Sequence, residues 1–182
     1  MDTDTGETSS VAAGRVVDAG DSRKRSVHER VAARIRLVAS DLDALHAIYG
    51  DAEVMRYVDG DYSTLAATRA ALETHIAMQA CDGFAFWAVL RGDELIGEVG
   101  FGRCDDEIEM GWTFARHAWG HGYATEAGRA AVTLAPTDRI IAVIRRENTP
   151  SIRLAERLGF ALDGPRTVRG REQLVYAMTA PA

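Results

Sequence analysis

Over residues 107–114 apolar and polar side chains alternate. Ile108, Met110, Trp112 and Phe114 fall on one side, Glu107, Glu109 and Thr113 on the other. A period of two predicts a strand with one buried face. Two runs rich in aromatic and β-branched residues precede it, at 84–90 and 94–101. Arg91-Gly92-Asp93 separates them, and residues 103–106 form a polar turn before the alternating strand. Three strands joined by short polar turns predict an antiparallel meander.

Elsewhere the period changes. Residues 34–38 predict a short strand. Ser40 is a candidate N-cap for a helix to Tyr49, with Leu42, Leu45 and Ile48 at three-residue spacing. Residues 51–58 suit a further helical turn or two. Ser63 or Thr64 is expected to cap a longer helix carrying Leu65, Leu72 and Ile76 toward Cys81. After the meander come a helix over 122–135, a strand over 139–145, a helix over 151–158, and strands over 160–167 and 172–178. A meander feeding β-α-β-α-β is an α+β (mixed α/β) domain.

The 182 residues suit one domain with a tail. Residues 1–26 are poor in large apolar side chains and read as a disordered tail, with Arg23-Lys24-Arg25 as a solvated charge cluster. Residues 27–182 form the single domain. The balance of 21 Lys and Arg against 27 Asp and Glu, net −6, argues against attraction to nucleic acid or an anionic membrane. Cys81 and Cys104 lack neighbours at ligand spacing, so no metal site or disulfide framework is expected and a reducing compartment is the default. No apolar run is long enough to cross a bilayer, and the first residues lack the pattern of a signal peptide. The expected location is cytoplasmic.

The chemistry concentrates in Trp119-Gly120-His121-Gly122-Tyr123-Ala124-Thr125-Glu126-Ala127, which follows a strand and opens a helix. Glycines there let the backbone approach a ligand, and a helix start offers unpaired N–H groups at its positive end. That arrangement suits a pyrophosphate. A dinucleotide fingerprint competes for the same glycines, with Glu147 as its ribose acid. Thr125 stands where the third glycine belongs, and the preceding strands are a meander and not the opening of a parallel βαβ unit. A tight turn without a ligand is the third reading.

The run from Met110 to Ala127 resembles the acetyl-CoA-binding motif of the GNAT family of N-acetyltransferases. It is most similar to the subgroup containing the ribosomal-protein N-terminal (RimJ/RimL-type) acetyltransferases. The segment from Arg145 through Asn148 and Ser151 to Phe160 resembles the family's second motif, and residues 34–41 resemble its start more weakly. The resemblance spans residues 29–179. It implies a central, mostly antiparallel, twisted sheet of about six or seven strands flanked by about four helices, splayed between the fourth and fifth strands. It also implies acetyl-CoA as donor, held by the backbone of Gly120, His121, Gly122, Tyr123, Ala124 and Thr125. Trp119 would brace this loop. Trp112, Thr113 and Phe114 would pair with the pantetheine arm, Asn148 would contact the arm, and Ser151 would lie near the sulfur. Many relatives carry a tyrosine acid where this chain has Ala155, so Ser151 or water would have to protonate the leaving thiolate. Dimers are common in the family.

The implied reaction is direct attack of a primary amine on the thioester in a ternary complex. The amine belongs either to a protein N-terminus or to a small cationic molecule. A non-catalytic acyl-CoA-binding sensor or partner module is the alternative. The amine must lose a proton to a base. Glu109, on the polar side of the alternating strand, is the first candidate and Glu98 the second. His121 is expected to point to solvent, and His46 and His117 to lie on the surface. Trp87, Trp112 and Trp119 read as packing, and Cys104 as an exposed turn thiol. Charge is uneven: residues 41–61 carry net −5, 82–109 net −6, and 139–171 net +5. A basic region suits a polyanionic donor and acidic regions suit a cationic acceptor.

Overall fold

The computed structural model describes residues 37–180, together with the backbone strands Val16–Asp18 (β1) and Ala32–Arg34 (β2). The rest of the segment read as a tail lies outside the described residues, as do residues 35 and 36. The first strand expected at 34–38 is therefore met only at Arg34. Leu37 and Val38 lead into a 3-10 turn, Ala39–Asp41, and helix α1, Leu42–Tyr49. Ser40 is not the cap: Asp41 reaches back to accept from the Val38 N–H at 2.7 Å. Leu42, Leu45 and Ile48 are all buried, as their spacing requires. Residues 51–58 hold a single 3-10 turn, Met55–Tyr57.

Thr64 caps helix α2, Leu65–Asp82, by accepting from the Ala67 N–H at 3.1 Å. Leu72 is the apolar anchor of α2, while Leu65 and Ile76 remain exposed, against the expected three-position stripe. Strands β3 (Phe86–Arg91), β4 (Glu94–Cys104) and β5 (Glu107–Phe114) make the expected antiparallel meander. Then follow α3 (Tyr123–Val132), β6 (Arg139–Ile144), α4 (Thr149–Leu158), β7 (Ala161–Val168) and β8 (Arg171–Thr179).

The strands form one eight-stranded sheet in the order β1-β2-β3-β4-β5-β6-β8-β7. Every neighbouring pair is antiparallel except β5 and β6, which are parallel and share a single register pair, Glu109 with Ile141. β5 continues to Phe114 with no ladder partner in β6 past that point. This is the splay that the resemblance implies between the fourth and fifth strands.

Two apolar clusters cover the two sides of the sheet. Met110 and Phe114 of β5 pack with Tyr123, Ala127 and Ala131 of α3 and with Leu154 and Leu158 of α4. Leu42, Leu45 and Ile48 of α1 pack with Leu72 of α2 and Ala88 of β3 on the other side. A register irregularity at Val89/Leu90, opposite Ile96, sets which β4 side chains face which helices. Beyond it, Val99 and Phe101 face α3 and α4, and Glu98 faces α1.

Candidate active site

At the C-terminal end of β5 the chain makes a 3-10 turn, Arg116–Ala118, and enters the glycine loop. The Trp119 indole donates to the Phe114 carbonyl at 2.8 Å, which braces the loop against the end of the strand. Gly120 and Gly122 have φ of +78° and +85°, and nothing lies within 4 Å of where a Cβ would sit at either one. Left-handed backbone at both positions is readily available only to glycine. Gly122 is the N-cap of α3 and supplies no capping side chain. Its carbonyl accepts from the N–H groups of Thr125 and Glu126, at 3.0 Å each. Thr125 N–H is thus turned inward, which leaves the N–H groups of Gly122, Tyr123 and Ala124 to face an anion at the helix start. His121 is exposed and stacks on Tyr123 at 5.5 Å.

The start of α4 lies across the splay. Helix α4 begins at Thr149, two residues before the expected start, because Asn148 caps it and Pro150 occupies the first turn. Asn148 Oδ1 accepts from the Ser151 N–H at 3.3 Å, so this oxygen is held by the helix. Ser151 Oγ accepts from the Trp112 indole N–H at 3.2 Å, which joins β5 to α4. Ala155 is fully buried in the core.

The α1 side of the sheet carries the buried titratable groups. Glu98 is 3% exposed. The Tyr49 hydroxyl donates to its Oε1, Thr113 also bonds the carboxylate, and Oε2 has no partner. Burial pushes the Glu98 carboxyl up to about 7, against the opposing effect of those two hydrogen bonds. Burial and the neighbouring carboxylate raise the Tyr49 phenol, which therefore stays a donor. His75 packs against Phe86 at 4.9 Å with the rings tilted by 44°, and burial lowers its imidazole to about 4.

Glu109 is placed differently from the expectation. It forms an ion pair with Arg169 and packs beside Cys104, away from Tyr49 and Glu98. The expected separation of acidic and basic regions also gives way to mutual pairing. Arg139 and Arg166 both bind Glu107 and Asp163. Arg145 binds Asp59 at 2.5 Å, with Gln173 at 3.3 Å from the same carboxylate. Arg139, Arg145, Arg166 and Arg169 of the third run thus pair with Asp59, Glu107 and Glu109 of the first two. Cys104 is buried, not exposed in a turn, and its thiol is raised by burial. His46 is half-buried, with Nδ1 at 2.9 Å from Thr68 Oγ1, which ties α1 to α2, while His117 is exposed beside Glu94.

The sequence signal for Glu98 was a glutamate flanked by glycine in the otherwise apolar strand Leu95-Ile96-Gly97-Glu98-Val99-Gly100-Phe101. A groove of about 630 Å³ between α1 and the β3–β4 turn is lined by Glu94, Arg116 and His117 among others, and not by Glu98 or Tyr49. Among the described residues no cluster of three or more His, Cys, Asp or Glu is placed to hold a metal ion, and no helix is long and apolar enough to cross a membrane.

Comparisons with known proteins agree with this architecture. An uncharacterized N-acetyltransferase, p20, of Bacillus licheniformis is 30% identical over 146 residues, covering 75% of this chain and 82% of the relative. The crystal structure of an acetyltransferase (GNAT family) from Bacillus anthracis superposes with a TM-score of 0.71 at 25% identity, covering 84% of this chain and 96% of that one. Mycobacterium smegmatis RimJ, solved in complex with a CoA-disulfide, shares the fold with a TM-score of 0.68 at 22% identity, over 83% of this chain and 82% of its own. Residues 34–161 match the family described as acetyltransferase (GNAT) domain. With a split sheet, a glycine loop at a helix start and a match across most of its length, the chain belongs to the GNAT family of N-acetyltransferases.

Proposed function

We propose that the protein moves an acetyl group from acetyl-CoA to a primary amine by direct attack in a ternary complex. The observation that carries this reading is the unpaired edge of β5 beyond Glu109, with the bare N–H groups of the α3 start at its end. An extended pantetheine arm would satisfy that edge as an added strand does. The pyrophosphate would lie on the backbone of Gly120, His121, Gly122, Tyr123 and Ala124, with Thr125 contributing only through its side chain or a shared N–H. The open space at Gly120 and Gly122 fits such a group.

Trp112, Thr113 and Phe114 line the strand edge. Asn148 keeps its amide nitrogen for the arm, because its oxygen caps α4. The Ser151 hydroxyl, already accepting from Trp112, has its own proton to donate toward a sulfur. Attack by the neutral amine at the thioester carbon forms the C–N bond, the C–S bond breaks, the nitrogen gives up its surplus proton to a base, and the thiolate takes a proton from Ser151 or water. Placing amine and thioester in one cleft removes much of the entropic barrier.

For the acceptor, a protein N-terminus and a small cationic amine both fit. Likeness to the RimJ-type subgroup rests on shared fold and favours the first. Ala155, buried where many relatives carry a tyrosine acid, favours a second reading: a non-catalytic acyl-CoA sensor.

Calorimetric titration with acetyl-CoA and with NAD tests the first step. Micromolar binding of acetyl-CoA without NAD binding supports the donor assignment, and release of free thiol with an added amine separates enzyme from sensor. Absence of acetyl-CoA binding overturns the reading.

A further inference from the structure

On the α1 side of the sheet, Glu98 is a carboxylate with one oxygen held and the other free. Its Oε1 accepts from Tyr49, whose ring is packed at 5.3 Å by Tyr62, and Oε2 is buried without a partner. The groups against it are Tyr49 from α1, Ala88 from β3 and Thr113 from β5, and no cation shifts its titration. Burying a carboxylate in this way costs stability, so packing alone does not explain it. Its cross-strand partner Thr113 lies beside Trp112, on the strand whose edge is open at the splay.

Between the splay and Glu98, β4 and β5 carry few side chains on this face. On this side the next positions of β4 and β5 are glycines, Gly100 and Gly111, with Gly102 one step further along β4. The Phe86 ring covers two of them: a Cβ on Gly111 would lie 2.8 Å from the ring and one on Gly102 3.6 Å, while Gly100 lies against the Ala85–Phe86 backbone. The ring is half-buried, with His75 against it at 4.9 Å, and access to Oε2 from the splay requires this ring to move.

Building on the acetyltransfer reading, we propose that Glu98 is the general base, with Oε2 taking the proton of the acceptor ammonium, and that Tyr49 is the positioning residue that fixes the carboxylate. The ammonium N–H bond breaks, the proton moves to Oε2, and the nitrogen lone pair forms the new bond to the thioester carbon. The sulfur leaves with the C–S electron pair and is protonated by the nitrogen's second proton, directly or through Ser151. Glu98 then returns its proton to water. The net reaction is ammonium plus thioester giving amide, thiol and one proton. A carboxyl near 7 is matched to this work at neutral pH.

The test compares wild type with Glu98→Gln and Tyr49→Phe. In Glu98→Gln, Tyr49 donates to the amide oxygen, so the amide NH2 takes the place of Oε2 and opposes an incoming N–H. The expected result is unchanged coenzyme A affinity by calorimetry and acetylation of spermidine or of a Ser-Ala-Ala peptide slowed by about 100-fold or more. The rate limb that rises through about pH 7 in wild type disappears. Tyr49→Phe moves that limb to higher pH, because the lost hydrogen bond had favoured the carboxylate. A bisubstrate conjugate, coenzyme A joined through an acetyl bridge to propylamine, supplies a readout that needs no turnover. Its affinity advantage over coenzyme A is lost in Glu98→Gln. Full acetylation rate with an unshifted pH limb, or undiminished conjugate affinity, overturns the assignment of Glu98. Failure of wild type to bind coenzyme A overturns the acetyltransfer reading instead.

Discussion

The indole of Trp112 and the hydroxyl of Ser151 meet at 3.2 Å across the opening in the sheet, joining residues 39 positions apart. The bond ties the free edge of β5 to the first turn of α4 and leaves the serine proton uncommitted. Ser151→Ala is expected to cost about 1 kcal/mol of stability, as for a half-buried hydrogen bond. It is also expected to lower kcat by on the order of 10- to 100-fold with acetyl-CoA KM little changed, water taking over part of the role. Steady-state kinetics beside a thermal melt checks both, and an unchanged kcat removes Ser151 from the chemistry.

Gly122 separates backbone strain from charge. At φ +85° a Cβ meets no atom, so Gly122→Ala carries only the left-handed penalty of about 1–2 kcal/mol. Gly122→Asp adds a carboxylate where the pyrophosphate is expected. The alanine variant should keep measurable acetyl-CoA affinity, while the aspartate variant should lose at least about 100-fold, equivalent to more than about 2.7 kcal/mol. Equal affinities in the two folded variants would remove the anion from this loop.

Glu98 makes stability depend on pH. Its folded value, about 7, lies above the ordinary 4.5, so the folded state binds more protons between these limits. Stability from this group is fully present below about pH 4.5 and is lost as pH rises through 7, by about 3 kcal/mol. Glu98→Gln should abolish the loss and raise the Tm at pH 8 relative to wild type. Denaturant melts at pH 5 and pH 8 measure it, and a wild-type curve identical to the variant's at both would refute the burial argument.

His75 acts with the opposite sign. Its imidazole is held neutral to about 4 by burial, against the ordinary 6.5. The unfolded chain therefore binds the extra proton first, and stability from this group is lost as pH falls from 6.5 to 4, by up to about 3 kcal/mol. Between pH 4.5 and 6.5 the two groups oppose each other. His75→Leu should flatten the acid limb, and Glu98→Gln should steepen it. Parallel acid melts of the two variants would count against the assignment to these side chains.

Much of this protein was written in local patterns. The period-two run at Glu107–Phe114 marked a strand, polar turns placed the meander, and Thr64 capped its helix, because each depends on neighbours in sequence. The glycines before Tyr123 marked the loop, since few other residues adopt its backbone. Burial along β5 was less regular than its alternation: Met110 and Phe114 are buried, while Ile108 and Trp112 are only partly so.

What the chain alone did not decide was which side chains meet across elements. Choosing Glu98 over Glu109 depends on register: both lie on one face of the sheet, but Glu98 pairs with Thr113 under Tyr49 of α1, whereas Glu109 pairs with Gly102 at the other end, beside Arg169. Tyr49 reaches Glu98 from 49 positions away, and Arg169 takes Glu109 from 60. The charged runs that looked like separate surfaces bind each other, because the sheet order β5-β6-β8-β7 brings β6 and the β7–β8 hairpin to the β5 side of the sheet. The sequence determined the local elements and the glycine loop. Tertiary packing alone decided which carboxylate is buried, half-partnered and poised to take a proton.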